Sequence, residues 1–117
     1  MEKQCSRTFF PASPGPDPQA IDHEEFEQAV KTGECVVVDV REAHEFASAH
    51  IPKSLNMPLS TFNPQRLPSE KPVVLICHSG RRSDSALSKA RAIGRDDVRH
   101  YAGGIVGWRS RNGALAR

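Results

Sequence analysis

The stretch VVLICHSGRRS, residues 73–83, carries an apolar run straight into a cysteine and then into a short basic turn. Its aliphatic residues do not alternate with polar ones, which predicts a strand buried on both faces, as in a parallel sheet. A cysteine meant only for packing belongs inside such a run. Cys77 stands at its end, with Gly80, Arg81 and Arg82 close behind. SDSALSKARAI (83–93) follows, and Ala86, Leu87, Ala90 and Ile93 form one helical stripe that Gly94 closes. The unit is strand, cysteine turn, helix.

The flanks repeat that alternation. CVVVD (35–39) is a second continuous apolar strand. Before it, Ile21-Asp22 opens a helix: Asp22 can cap, Glu25 stands at the third helical position, and Phe26 can staple onto Ile21. Ala29 and Val30 continue the apolar face to Gly33. REAHEFASAH (41–50) predicts a short helix with Phe46 inward, ended before Pro52, and SLNMP (54–58) a short strand. DVRHY (97–101) predicts an exposed-edge or partner strand, and GIVGWRSRN (104–112) a last helix. Together they predict an α/β sandwich around a mainly parallel central sheet. Residues 1–19 hold Pro11, Pro14, Pro16 and Pro18 without apolar periodicity, which predicts a flexible tail ahead of a domain at 20–117.

Composition narrows the function. A chain of 117 residues suits one domain, and 38% hydrophobic with 26% charged residues suits a globular protein. No apolar run nears the roughly 18 residues of a membrane span, and the N-terminus has no signal-peptide pattern. Cys5, Cys35 and Cys77 are odd in number and form no CxxC pair, while the five histidines show no HxxxH spacing. Neither a disulfide framework nor a metal site is expected, and a reducing cytoplasm is. Residues 1–77 carry 7 Lys/Arg against 11 Asp/Glu, whereas residues 78–117 carry 9 against 3. The cationic half lacks interleaved aromatics, so it suits a small anion better than nucleic acid.

In open α/β sheets, ligands bind beyond the carboxyl ends of the strands. Cys77 lies at that edge, and the turn after it runs into a helix N-terminus, where backbone N–H groups converge on anions. The same field favours a thiolate. Gly80 permits close approach of the backbone, and Arg81 and Arg82 add charge. A nucleophilic sulfur in an anion cradle is the reading; a buried structural thiol is its alternative. Asp39 and Arg41, at a strand end near this edge, are expected to pair and fix loops, and His50, before Ile51-Pro52, to orient a turn. His78 is expected near the substrate. Cys35 and Trp108 are expected in the core, and Cys5 as a solvated thiol without a role.

Three motifs in order, VVVDVREAHEFASAHIPKSLNMPL (36–59), CHSGRRS (77–83) and YAGGIVGW (101–108), resemble the rhodanese-like sulfurtransferase family in its single-domain form. The resemblance spans residues 20–112. Ala49, Lys53 and Ser54 stand where that family often has glycine, glycine and alanine. The resemblance implies a three-layer α/β sandwich, its mainly parallel central sheet of about five strands flanked by helices, and a sulfurtransferase of the thiosulfate type. Cys77 would attack the sulfane sulfur of thiosulfate or a persulfide donor, hold it as a persulfide, and pass it to cyanide or a thiol. The loop residues His78, Ser79, Gly80, Arg81, Arg82 and Ser83 would bind the donor, with Asp39, Arg41 and His50 structural nearby. No cofactor is implied, and a protein thiol is open as acceptor. Rhodanese-like domains also serve as persulfide carriers or protein-interaction modules, which is the alternative function. A cysteine phosphatase or arsenate reductase ranks lower: its Cys-x5-Arg spacing would put arginine where Ser83 stands, and Ile76 precedes the cysteine where tyrosine phosphatases place histidine.

Overall fold

The computed structural model describes residues 20–117; the predicted tail, with Cys5, lies outside them. Four strands, β1 (Val36–Asp39), β2 (Leu55–Asn56), β3 (Val73–Ile76) and β4 (Val98–His100), form a wholly parallel sheet in the order β2-β1-β3-β4. Helices α1 (His23–Thr32), α2 (Ala43–Ser48), α3 (Arg81–Ala92) and α4 (Gly104–Ser110) lie between and around them, with two short 3-10 turns at Leu59–Thr61 and Pro64–Arg66. The expected class holds. Four strands among the described residues replace the expected five, and the fifth place has only a single parallel bridge, Ala20 to His100.

The period of two explains the layers. From one face, Cys35, Val37, Val74 and Ile76 pack with Phe26 and Ala29 of α1 and with Ile105 and Trp108 of α4. From the other, Val38, Val40, Val73, Leu75 and Cys77 pack with Ala86, Leu87 and Ala90 of α3. Cys77 continues the parity of β3, so its side chain falls on the α3 face. Trp108 is a core anchor, its indole Nε1 donating to the Ala114 carbonyl at 2.8 Å. Cys35 is buried, and burial pushes its thiol up to about 12.

The caps are as expected for α1: Asp22 accepts from the Glu25 amide at 2.8 Å, and Gly33 closes the helix in the left-handed region. Four other details differ. Helix α3 begins at Arg81, because Gly80, not a serine, turns the chain into it. The helix ends at Ala92, so Ile93 leaves the stripe and is 45% exposed. Phe46 is half-buried and stacks on His50 with centroids 3.9 Å apart, since α2 is too short to reach either core. Strand β4 is an edge strand, yet all three residues are buried, covered in part by the Ala20–Ile21 segment.

The turn after His50 carries a cost. Lys53 holds φ 69, the left-handed region, at one of the positions where the resembling family often has glycine. A Lys53→Gly variant sheds about 1–2 kcal/mol of left-handed strain and returns about 0.5–1 kcal/mol of chain entropy. Its urea midpoint is therefore expected to rise slightly. A lowered midpoint would mean that the lysine side chain outweighs the strain.

Candidate functional site

Strands β1 and β3 end together: Asp39 pairs with Ile76, and the Val40 amide bonds the Ile76 carbonyl at 2.8 Å. The chain then leaves the sheet through Cys77, His78, Ser79 and Gly80. The carbonyls of Cys77 and His78 point away from the loop, accepting from the Ile105 and Val106 amides of α4 at 2.8 and 3.1 Å. That docking needs Gly104, at φ 64, since a Cβ there would collide with the His78 and Cys77 carbonyls. Gly80, at φ 103, is required in the same way: a Cβ would strike the Ala102 carbonyl. Loop 77–80 and turn 102–104 thus interlock through two glycines.

The interior of the loop belongs to the sulfur. Cys77 is 1% exposed, and the Gly80 amide donates to its Sγ at 3.0 Å. The Ser83 hydroxyl lies 3.6 Å from Sγ, 3.1 Å from the Gly80 carbonyl and 3.0 Å from His100 Nδ1. The positive end of α3 faces this group. His78 and Ser79 stand exposed on the rim.

The two arginines part company. Arg81 is exposed and makes no hydrogen bond or ion pair among the described residues. Arg82 forms a bidentate pair with Glu45 of α2 at 2.7 and 3.0 Å. Glu45 in turn accepts from the Glu42 amide in a capping box, so one carboxylate ties the start of α2 to the start of α3. The Arg82 hydrogen bond holds the Glu45 carboxyl at about 2, well below its ordinary 4.5. Arg82 is raised, by the Glu45 bond first and against the effect of burial, with the Glu45 and Cys77 charges adding to it.

Asp39 and Arg41 are buried at this edge and bind each other, with Arg41 Nη2 2.8 Å from Asp39 Oδ2. Arg41 also donates to the Ala49 carbonyl at 2.6 Å, and the Asn56 amide ties the Asp39 and Arg41 carbonyls together. Neither charged side chain bonds Cys77 among the described residues. His50 Nδ1 donates to the Phe46 carbonyl at 2.8 Å, and its backbone pairs with Ala116. The structure therefore gathers Cys77, Gly80, Arg82 and Ser83 and leaves Asp39, Arg41 and His50 in the supporting turns. Two participants escaped the sequence reading. Glu45 was legible only as a carboxylate four residues beyond Arg41; His100 only as a histidine in a stretch expected as an exposed-edge or partner strand.

A family model described as "Rhodanese-like domain" matches residues 22–111. The chain belongs to the rhodanese-like domain family. It is 36% identical over 86 residues to thiosulfate sulfurtransferase GlpE of Pseudomonas savastanoi pv. phaseolicola, covering 71% of this chain and 80% of the relative. It is 34% identical over 91 residues to the putative sulfur carrier protein YrkF of Bacillus subtilis, covering 75% of this chain. The fold also matches the human single-domain sulfurtransferase TSTD1, with a TM-score of 0.69 and 26% identity over 80% of this chain and 96% of that one. The chain spans only about half the length of some curated relatives, 49% of YrkF and 42% of the Synechocystis protein slr1261.

The Glu45–Arg82 pair sets a pH dependence. The folded carboxyl titrates near 2 against 4.5 ordinarily, so the pair's contribution is complete above pH 4.5 and disappears as pH falls toward 2. Glu45→Gln is expected to cost about 1 kcal/mol at neutral pH, the scale of a partly solvated pair. The gap from wild type should close on acidification through that window. A gap that stays constant with pH would assign the loss to packing instead.

Proposed function

We propose that this chain moves a sulfane sulfur from thiosulfate or a persulfide donor to cyanide or a thiol, with Cys77 as nucleophile. The observation that carries the reading is the Gly80 amide aimed at Cys77 Sγ at 3.0 Å, inside a loop whose Cys77 and His78 carbonyls are occupied by α4. An N–H donor at the sulfur and outward carbonyls favour negative charge on that atom. The relatives named as a thiosulfate sulfurtransferase and a putative sulfur carrier are consistent with it.

In the first step the Cys77 thiolate attacks the outer sulfur of thiosulfate. The new S–S bond forms as the sulfur–sulfonate bond breaks, and sulfite departs with the bonding pair. In the second step cyanide or a thiolate takes the outer sulfur, and the electron pair returns to Cys77. No electron donor or cofactor is needed, because sulfur is transferred between nucleophiles. The free Cys35 and Cys77 suit the reducing cytoplasm in which we place this chemistry. A loaded Cys77 serves a carrier as well as an enzyme, so the YrkF likeness favours a second reading in which a protein thiol is the acceptor and turnover with small donors is slow.

Arg81 is the better candidate for meeting an anionic donor, because Arg82 is held by Glu45. With thiosulfate and cyanide, Cys77→Ser is expected to form no thiocyanate. Arg81→Ala is expected to raise the thiosulfate KM a few-fold at low salt, with the difference shrinking as salt screens the charge. The same preparation should leave p-nitrophenyl phosphate intact. Rapid phosphate release without thiocyanate would replace sulfur transfer by phosphoester hydrolysis.

A further inference from the structure

We infer that His100 is a positioning residue for the Cys77 sulfur: its Nδ1–H donates to the Ser83 hydroxyl and leaves that hydroxyl's single proton for the sulfur. The inference deepens the sulfur-transfer reading and rests on it for its purpose.

The argument is a count of donors and acceptors. The Ser83 side chain is fully buried, and its hydroxyl oxygen meets three groups: the Gly80 carbonyl at 3.1 Å, Cys77 Sγ at 3.6 Å and His100 Nδ1 at 3.0 Å. A hydroxyl has one proton and two acceptor sites. The Gly80 carbonyl only accepts. If Nδ1 also accepted, two acceptors would compete for that one proton before any reached the sulfur. With a proton on Nδ1 all three contacts are satisfied at once. While Cys77 is a thiol, its S–H and the Nδ1–H both donate to Ser83, and Ser83 donates to the Gly80 carbonyl.

Ionisation of Cys77 changes two bonds: the S–H to Ser83 contact reverses, and the serine lets go of the Gly80 carbonyl. The sulfur now only accepts, and the Ser83 proton can swing to it from the carbonyl. Gly80 is not orphaned by the swing, because its carbonyl also accepts from the Asp84 amide at 3.1 Å. Donation from His100 polarises the serine O–H and strengthens its bond to the thiolate. When Cys77 carries a second sulfur, charge moves to the outer atom, the inner sulfur becomes a weak acceptor, and the serine proton returns to the carbonyl. Ser83 therefore follows the loading state of the cysteine, and His100 holds it in the orientation that allows both settings. His100 is itself placed firmly: it is buried in β4, opposite Leu75, and its carbonyl accepts from the Ile21 amide at 3.0 Å.

Two measurements test this, and neither depends on turnover. In 15N-labelled protein, long-range 1H–15N correlation of the His100 ring is expected to show the proton on Nδ1; a bare Nδ1 with the proton on Nε2 overturns the proposal. The second measurement is the rate at which iodoacetamide alkylates Cys77 at neutral pH, read by peptide mapping. Ser83→Ala and His100→Phe should each slow it roughly tenfold, the scale of a hydrogen bond to a charged group. The double variant should be no slower than Ser83→Ala alone, because His100 acts through the serine. His100→Asn, which places an amide N–H near the position of Nδ1, should recover most of the rate. Additive losses in the double variant, or an Asn variant as slow as Phe, would overturn the proposal. If His100→Phe fails to fold, the wild-type tautomer and the Asn variant decide. Should the coupling hold while the wild type makes no thiocyanate, His100 keeps its positioning role and the sulfur-transfer reading falls.

Discussion

The site depends on a single backbone contact, the close approach of loop 77–80 to turn 102–104. Gly80 and Gly104 both occupy the left-handed region, and a side chain on either would meet a carbonyl of the opposing segment. Because they lack one, the first amides of α4 can take the Cys77 and His78 carbonyls. The consequence is directional. With those carbonyls engaged outside, the Gly80 N–H and the start of α3 are left facing the sulfur. A buried cysteine sulfur in a packed core is ordinarily inert; here the same depth of burial comes with donors rather than with apolar neighbours alone.

Charge is distributed around that frame in two tiers. Arg82 is fixed by Glu45 and supplies positive potential from a held position beside the cysteine. Arg81 is exposed and, among the described residues, has no partner holding it. Asp39 and Arg41 form a third, separate unit that is buried and satisfied by each other and by the turn at Ala49. Removing one partner of such a buried pair leaves an uncompensated charge, and we propose that these two residues serve the architecture of the edge. The parallel register of β1 and β3 brings the tiers together, since Asp39 lies beside Ile76, one residue from the cysteine.

Much of this was legible in the sequence because local signals agreed with one another. The continuous apolar runs at 36–39 and 73–76 announced buried parallel strands, and Asp22 and Gly33 bracketed α1. The end of a strand followed by glycine and a helix located the loop. What stayed hidden depends on contacts between distant segments. The apolar pattern places the start of α3 at Ser83 and not at Arg81, because a left-handed glycine, not a polar cap, initiates it. Ile93 matched the helical period but fell just past the end of the helix, where the period no longer applies. The Arg82–Glu45 pair spans 37 positions, and the Ser83–His100 contact joins α3 to a strand after it. No spacing rule within one element reports either.

The central claim is that the loop makes Cys77 a sulfur acceptor and donor. Mass spectrometry of the protein after brief exposure to thiosulfate, with peptide mapping under non-reducing conditions, tests it most directly. The account predicts that the peptide containing Cys77 gains the mass of one sulfur atom and loses it when cyanide is added, while the Cys35 peptide is unchanged. An unmodified Cys77 peptide, or sulfur found on Cys35 instead, would contradict it.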